Sequence, residues 1–267
     1  MTELVSSASN PIAKRVRALA ERKARRREGV FLVEGMQPVW RAATSDWEIE
    51  TLLLAPELIE NPAVDDLAAD LQARGTRIVN LAADLFTRLS GRDGPAGVMA
   101  IVRSQTLSLA DIGIGENDVW VVLHRVHNPG NLGTIIRTAD AAGIAGVILS
   151  GDSTDVFAPV AVKASMGSIF SVPIVQAPDI DQVLAWSLEQ GIHLVGTSGY
   201  AEATHWDLDL PRPLGIVLGN EGDGLPDELF EKMDSTVRIP MTGTVESLNL
   251  GIAAALLMYE VQRHRID

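Results

Sequence analysis

Three stretches of this chain place Gly, Asn and isolated charged residues at spacings that could hold a ligand. They are Asn128-Pro-Gly-Asn131-Leu-Gly-Thr-Ile-Ile-Arg137, Leu218-Gly219-Asn220-Glu221-Gly222-Asp-Gly-Leu225 and Ile239-Pro-Met241-Thr-Gly-Thr-Val-Glu-Ser247-Leu248-Asn249. Each follows a short apolar run expected to be a buried strand. In open α/β sheets the carboxyl ends of the strands are where ligands bind. Three such ends with glycine-held polar residues predict one composite pocket.

The residues allow more than one chemistry. Arg137 follows Asn131 by six positions among Ile135, Ile136 and Ala139. An arginine in that setting either snorkels to solvent or, at a strand-to-helix edge, holds an anion. Asn131 is positioned to cap the helix that carries Arg137. Four of the six residues 219–224 are Gly or Asn, enough to bend the backbone around a ligand. The loop lacks the Lys-Ser/Thr of a P-loop and is not a Gly-x-Gly-x-x-Gly turn, so the usual nucleotide-phosphate cradles fit poorly. A carboxylate at Glu221 repels phosphate and suits a cationic ligand or an Arg partner. A tight turn leading into a helix at Asp223 or Pro226 explains the same residues structurally. Ser247 is placed to cap a long final helix, with Asn249 on its first turn.

Composition narrows the field. The 267 residues contain no cysteine, which rules out disulfides, Cys-ligated zinc and thiolate nucleophiles. The five histidines include His193, His205 and His264 without metal-ligand spacing, so no metal is expected. Aromatics make up 4%, too few for base stacking to dominate nucleic-acid binding. No apolar run approaches the roughly 20 residues of a membrane span, and Met1 to Asn10 lack a signal-peptide pattern. A cytoplasmic protein without membrane contact is expected. The net charge is −13, yet residues 1–28 hold eight basic residues against three acidic ones, leaving +5 there and −18 elsewhere. Such a basic element on an acidic body is either a phosphate-contacting face or a solvated helix surface.

Elements must position these residues. Asn10-Pro11 signals a helix start, and Ile12, Val16 and Leu19 form its apolar stripe. Alternating strands and helices then run to Val102, describing a small α/β domain. Domain boundaries are expected at 1–104, with a polar linker at 105–116 and a second domain at 117–267. In the latter, unalternating apolar strands separated by helices predict a parallel sheet covered on both faces. The last helix is expected from Ser247 to about His264.

The three loops, in this order and spacing, resemble the three motifs of the SpoU (TrmH-like) family of RNA ribose 2′-O-methyltransferases, in the SPOUT superfamily. The match spans residues 117–267. Ser7-Ala-Ser-Asn-Pro11 through Phe31-Leu-Val-Glu-Gly35 also resembles the small substrate-binding domain of many members, whose RNA-binding fold is similar to certain ribosomal proteins. The resemblance implies an α/β fold with a trefoil knot, a homodimer, and S-adenosyl-L-methionine as cofactor. It implies catalytic or site-shaping roles for Asn131, Arg137, Glu221, Ser247 and Asn249. The cofactor positions it implies are Thr197, Leu218, Gly219, Asn220, Gly222, Ile239, Met241, Ser247 and Leu248. RNA contacts are expected from Lys14, Arg15, Arg22, Lys23, Arg25, Arg26, Arg27 and Arg137. The implied reaction is methyl transfer to a ribose 2′-hydroxyl of structured RNA, with 23S ribosomal RNA as the leading substrate. A tRNA substrate and a non-catalytic RNA-binding protein are the alternatives. One departure stands out: the first strand, often ended by Asp in this family, ends here in His124. His127 follows three residues on. Either could titrate near neutrality and assist proton removal, or both could be loop-edge residues without catalytic consequence. Val162-Lys-Ala-Ser-Met-Gly167 resembles a segment common beside the knot and reads as structural.

Overall fold

The computed structural model describes residues 4–91, 93–207 and 211–266, with the side chains of 264–266 left aside. Glu3 of the N-terminal charge count and the side chain of His264 therefore lie outside the described residues. The chain divides into two compact units, residues 1–105 with 157–170, and residues 106–156 with 171–267.

The first unit opens with β1 (Leu4–Val5), α1 (Pro11–Ala18), α2 (Arg22–Glu28), β2 (Val30–Glu34), α3 (Met36–Ala43) and β3 (Ile49–Leu54). It continues through α4 (Ala63–Ala73), β4 (Arg77–Leu81), α5 (Ala83–Leu89) and β5 (Val98–Arg103). Its sheet has the order β1-β4-β3-β5-β2, with β5 antiparallel to both β2 and β3. Asn10 caps α1 by accepting from the Ile12 amide at 2.9 Å, and Pro11 occupies the first turn, as the Asn-Pro pair predicts. Ile12, Val16 and Leu19 enter a core with Leu53, Leu81, Phe86 and Ile101.

The basic run is two helices, and the break between them changes its chemistry. Arg25 is 5% exposed, and its Nη1 donates to the Leu19 and Ala20 carbonyls at 2.8 and 2.7 Å. Those carbonyls end α1, so the guanidinium serves as their hydrogen-bond donor. Arg15 is half-buried, paired with Glu28 at 2.7 Å and with Glu50. The Glu50 hydrogen bond leads the causes that raise the Arg15 pKa, and the Arg15 hydrogen bond leads those that lower both carboxylates. Both residues were expected to contact RNA. They are committed to the fold instead. Lys14, Arg22, Lys23, Arg26 and Arg27 are exposed.

The second unit begins with β6 (Val119–His124), α6 (Pro129–Ala141) and β7 (Gly146–Ser150). Next comes α7 (Pro159–Ser165), which lies in the 157–170 stretch grouped with the first unit. There Phe157 and Phe170 stand 4.6 and 6.2 Å from the ring of Phe31. The expected boundaries keep this segment in the C-terminal domain. Aromatic packing assigns it to the other core.

The chain then forms β8 (Ile174–Ala177), α8 (Ile180–Glu189), β9 (His193–Thr197), β10 (Leu214–Leu218), α9 (Asp227–Phe230), β11 (Ser235–Val237) and α10 (Leu250–Ile266). The six strands are parallel, in the order β11-β9-β10-β6-β7-β8. Every residue of β6 is buried, as expected of a central strand covered on both faces. Trp120 and Val122 pack with Ile180 and Val183 of α8. A Cβ on Gly146 would lie 2.3 Å from the Trp120 ring, so β7 requires glycine there. The expected linker is partly sheet: Leu107 donates to Ile174 O and accepts from the Gln176 amide, at 2.9 and 2.8 Å.

Arg25→Ala leaves the buried Leu19 carbonyl and the part-buried Ala20 carbonyl without this donor, which predicts a loss of about 2 kcal/mol. Arg26→Ala, on the exposed face, should stay within about 0.5 kcal/mol of wild type. Urea denaturation of the two variants checks the contrast, and equal midpoints would refute the structural role of Arg25.

Candidate active site

The parallel sheet places all strand ends of one polarity on one edge. β6 and β10 are neighbours, with Leu123 opposite Leu218, so the loop after His124 lies beside the loop after Leu218. β9 and β11 are paired as well, with Thr197 opposite Val237. The three sequence stretches thus begin at one sheet edge.

The loop after β6 turns into α6 through Asn128, whose Oδ1 accepts from the Gly130 and Asn131 amides at 2.8 and 3.2 Å. Asn128, and not Asn131, is the cap. Asn131 lies one turn inside, 7% exposed, with its side chain free for tertiary contacts. The loop after β10 closes on itself: Asn220 and Gly224 exchange backbone hydrogen bonds at 3.2 Å in both directions. Asn220 Oδ1 accepts from the Gly222 and Asp223 amides, each at 2.8 Å. A Cβ on Gly219 would lie 2.0 Å from the Gly224 carbonyl, which only glycine avoids. Asn220 and Gly222 are therefore builders of this loop.

The closed loop presents Glu221 to the first turn of α6. Its Oε1 accepts from the Asn128 amide and Asn131 Nδ2, both at 3.0 Å, and its Oε2 accepts from the His127 amide at 3.1 Å. Among the described residues no arginine pairs with it, contrary to one sequence expectation. Burial pushes the Glu221 pKa up, but the hydrogen bonds from Asn131, His127 and Asn128 outweigh it and leave the carboxyl below its ordinary value. The position at a helix N-terminus favours the anion in the same sense.

The third loop joins through Asn249. Its Nδ2 donates to Asn131 Oδ1 at 2.9 Å, while its Oδ1 accepts from the Gly251 amide at 2.9 Å. Asn249 is thus the cap of α10, which begins at Leu250, and Ser247 lies before it, exposed. One asparagine both starts the helix and ties the loop to Asn131.

The other expected residues fall around this network. Leu218 is buried at the end of β10, and Thr197 Oγ1 donates to Val217 O at 3.0 Å. Ile239 and Leu248 are half-buried and Met241 is exposed. Among the described residues, the backbone from Ile239 to Leu248 makes no hydrogen bond. Arg137 is exposed two turns into α6 and has no hydrogen bond or ion pair among the described residues. His124 is buried with Nδ1 at 3.4 Å from Ser150 Oγ; desolvation, then the nearby Arg125, lowers its pKa. His127 contributes through its backbone amide. An open cleft is lined by His127–Pro129 and Asn220–Asp223. Asn128 was missed as the cap, although Asn-Pro at a strand exit is the same signal read correctly at Asn10. Among the described residues no group of three or more His, Asp or Glu could hold a metal, and no helix is long and apolar enough to cross a membrane.

A parallel α/β sheet whose carboxyl edge gathers an Asn–Glu–Asn network and, among the described residues, a length of unbonded backbone defines a ligand-binding domain of the open-sheet class. Residues 118–259 match the SpoU rRNA Methylase family, and residues 10–100 match the MRM3-like substrate binding domain. The chain is 35% identical over 255 residues to a 23S rRNA (uridine(2479)-2′-O)-methyltransferase of Streptomyces viridochromogenes, covering 93% of this chain and 88% of that one. It is 30% identical over 261 residues to the 23S rRNA (guanosine(2553)-2′-O)-methyltransferase RlmP of Bacillus subtilis, covering 97% and 98%. The crystal structure of an AdoMet-bound rRNA methyltransferase from Sinorhizobium meliloti superposes with a TM-score of 0.91 at 37% identity, over 98% of each chain. The chain belongs to the SpoU rRNA methylase family.

The folded-state pKa of Glu221 lies below its ordinary value of 4.5, so its contribution to stability is present above that value and lost as pH falls through the folded pKa. Glu221→Gln should melt lower than wild type near neutral pH and lose less stability between about pH 6 and pH 3. Melting temperatures across that range test this, and parallel acid profiles would contradict it.

Proposed function

We infer that this chain is an S-adenosylmethionine-dependent methyltransferase that modifies a ribose 2′-hydroxyl of 23S ribosomal RNA. The observation that carries the reading is the Glu221–Asn131–Asn249 network, which fixes three loops at one sheet edge, while further along α6 the Arg137 guanidinium is exposed and unpaired among the described residues. Both named relatives are 23S rRNA 2′-O-methyltransferases. The acidic body disfavours indiscriminate polyanion binding, and the exposed Lys14, Arg22, Lys23, Arg26 and Arg27 of the N-terminal unit supply a localised RNA-contacting surface. A ribosomal RNA substrate places the enzyme in the cytoplasm.

S-adenosylmethionine, when bound, supplies an electrophilic methyl group on a cationic sulfonium. The residues present fit it: the unbonded backbone of Ile239–Leu248, with Thr197, Leu218 and Gly219, offers amides and carbonyls suited to a nucleoside. Glu221 keeps a fixed negative charge on the same edge. Asn131 receives its orientation from Glu221 on one side and Asn249 on the other, which holds α6 in register with the third loop. Ser247, exposed just before that loop enters α10, keeps its hydroxyl for the ligand. Arg137 stays protonated at neutral pH and is unsuited as a general base. Its charge instead anchors a phosphate next to the target ribose and stabilises negative charge developing on the 2′-oxygen.

A homodimer completes the proposal. On α10, Ile252, Leu256 and Tyr259 are exposed at i, i+4 and i+7 while Ala254, Leu257, Met258 and Val261 are buried. A second apolar stripe on a helix already packed on one side calls for a partner, and a second copy supplies the matching face. Leu256→Glu should convert the dimer to monomer in sedimentation velocity, and an unchanged dimer would remove α10 from the interface.

Purified protein should transfer labelled methyl to ribosomal RNA from a strain lacking the enzyme, at a single site protected from alkaline cleavage. Labelling of transfer RNA alone would overturn the ribosomal substrate. Arg137→Ala should lower kcat at least about 100-fold while calorimetry shows unchanged S-adenosylmethionine binding. A wild-type rate would eliminate the assigned role. Arg137→Lys with substantial activity would identify a point-charge contribution.

A further inference from the structure

The loop that leaves β9 rests on the methyltransferase reading for its meaning and adds a contact which that reading does not contain. Residues 198–207 are braced against the strand that leads to Ile239. Ser198 donates to Val237 O at 2.9 Å, the Arg238 amide to Ala203 O at 3.0 Å, and the His205 amide to Arg238 O at 3.0 Å. The Arg238 guanidinium donates to the carbonyls of Ala201 and Glu202, the latter at 2.7 Å. On this fixed support Tyr200 is 98% exposed, its amide donating to Ser198 Oγ at 3.2 Å. A ring of that size normally obtains burial in a folded chain. Here a well-bonded loop holds it in water.

Its location and surroundings identify the occupant. Thr197 and Val237 end β9 and β11, so the loop leaves the sheet at the edge that carries Gly219, Glu221 and Asn131. Next to Tyr200 the chain has Gly199 with open space about it, and exposed Glu202. Trp206, 59% exposed, is a second exposed ring of this loop, and polar residues lie between the two, unlike the continuous apolar stripe on α10. A subunit interface buries a continuous patch, whereas exposed rings set apart by polar residues suit planar ligands. Glu202 and Asp207 would repel phosphate, which leaves the face of a base as the part of RNA that this loop can approach. Unstacked bases in single-stranded RNA are commonly received on aromatic side chains.

We propose that Tyr200 stacks on an unpaired base of the RNA substrate at the methyl-transfer edge. Stacking needs the ring and not its hydroxyl. Steady-state methyl transfer by wild type, Tyr200→Ala and Tyr200→Phe, on a 23S rRNA transcript that the wild type methylates, tests it. Tyr200→Ala should raise the KM for RNA about tenfold without changing the KM for S-adenosylmethionine, the melting temperature or the sedimentation coefficient. Tyr200→Phe should match wild type. A wild-type RNA KM in Tyr200→Ala overturns the proposal, as does equal weakening in both variants, which would implicate the hydroxyl. A smaller sedimenting species in Tyr200→Ala would also overturn it, by assigning the ring to a subunit contact. No transfer by wild type to any RNA would instead sink the enzyme reading, a separate failure scored before the variants are compared.

Discussion

The site depends on one carboxylate shared among amides. Glu221 accepts from two backbone N–H groups and from Asn131, and Asn131 passes the connection to Asn249. These residues are 90 and 118 positions apart in sequence, so local preference cannot set their relative placement. Two levels of structure do. Parallel pairing of β6 with β10 brings the first two loops together, and the side-chain network then fixes distances within hydrogen-bond tolerance. The network is exacting because each member uses a different atom: Asn131 donates its amide N–H to the carboxylate, and its carbonyl oxygen accepts from Asn249 Nδ2. An aspartate at Asn131 would keep the acceptor but place an anion against Glu221.

Much of this was legible in the sequence, for identifiable reasons. Apolar runs without alternation marked β6, β7 and β10, because central strands of a parallel sheet bury both faces. The three loops carried the glycines that tight backbone closure demands, most clearly at Gly219. What local reading missed was the assignment of partners. Asn128 and Asn131 are both plausible caps for α6, as Ser247 and Asn249 are for α10, since the residue types are interchangeable in that role. Tertiary contact decided both cases. Asn131 was needed by Glu221, and Asn249 reached Asn131 only from the capping position. The capping role of Asn128 also freed Asn131 to act one turn later.

The basic N-terminal run shows a second limit. Its eight cations look alike in sequence, yet Arg25 closes the end of α1 and Arg15 is paired with Glu28 and Glu50. Nothing in the charge pattern separates these from Lys14, Arg22, Lys23 and Arg26. The distinction arises at the break between α1 and α2, where helix-end carbonyls need a donor. Glu50 lies beyond the run in sequence and is invisible to any local count. The grouping of 157–170 with the first unit has the same kind of origin: Phe157 and Phe170 find their aromatic partners at Phe31 and Trp47, more than a hundred residues earlier.

Within the described residues Arg137 and Glu221 are not paired with one another. A chain with 35 acidic and 22 basic residues offers many carboxylates to a surface arginine, and Glu221 stands in the loop opposite the helix that carries it. Glu221 is taken up by amides that carry no formal charge. It therefore stays anionic without neutralising a cation, while the guanidinium stays cationic without an internal partner. Had the two paired directly, a phosphate would have to compete with a carboxylate already in contact, and binding it would expose the carboxylate to a second anion. Satisfying the carboxylate with neutral donors separates the charges that shape the loops from the charge that meets the substrate. The arginine can then bind a phosphate without first breaking a bond of its own fold.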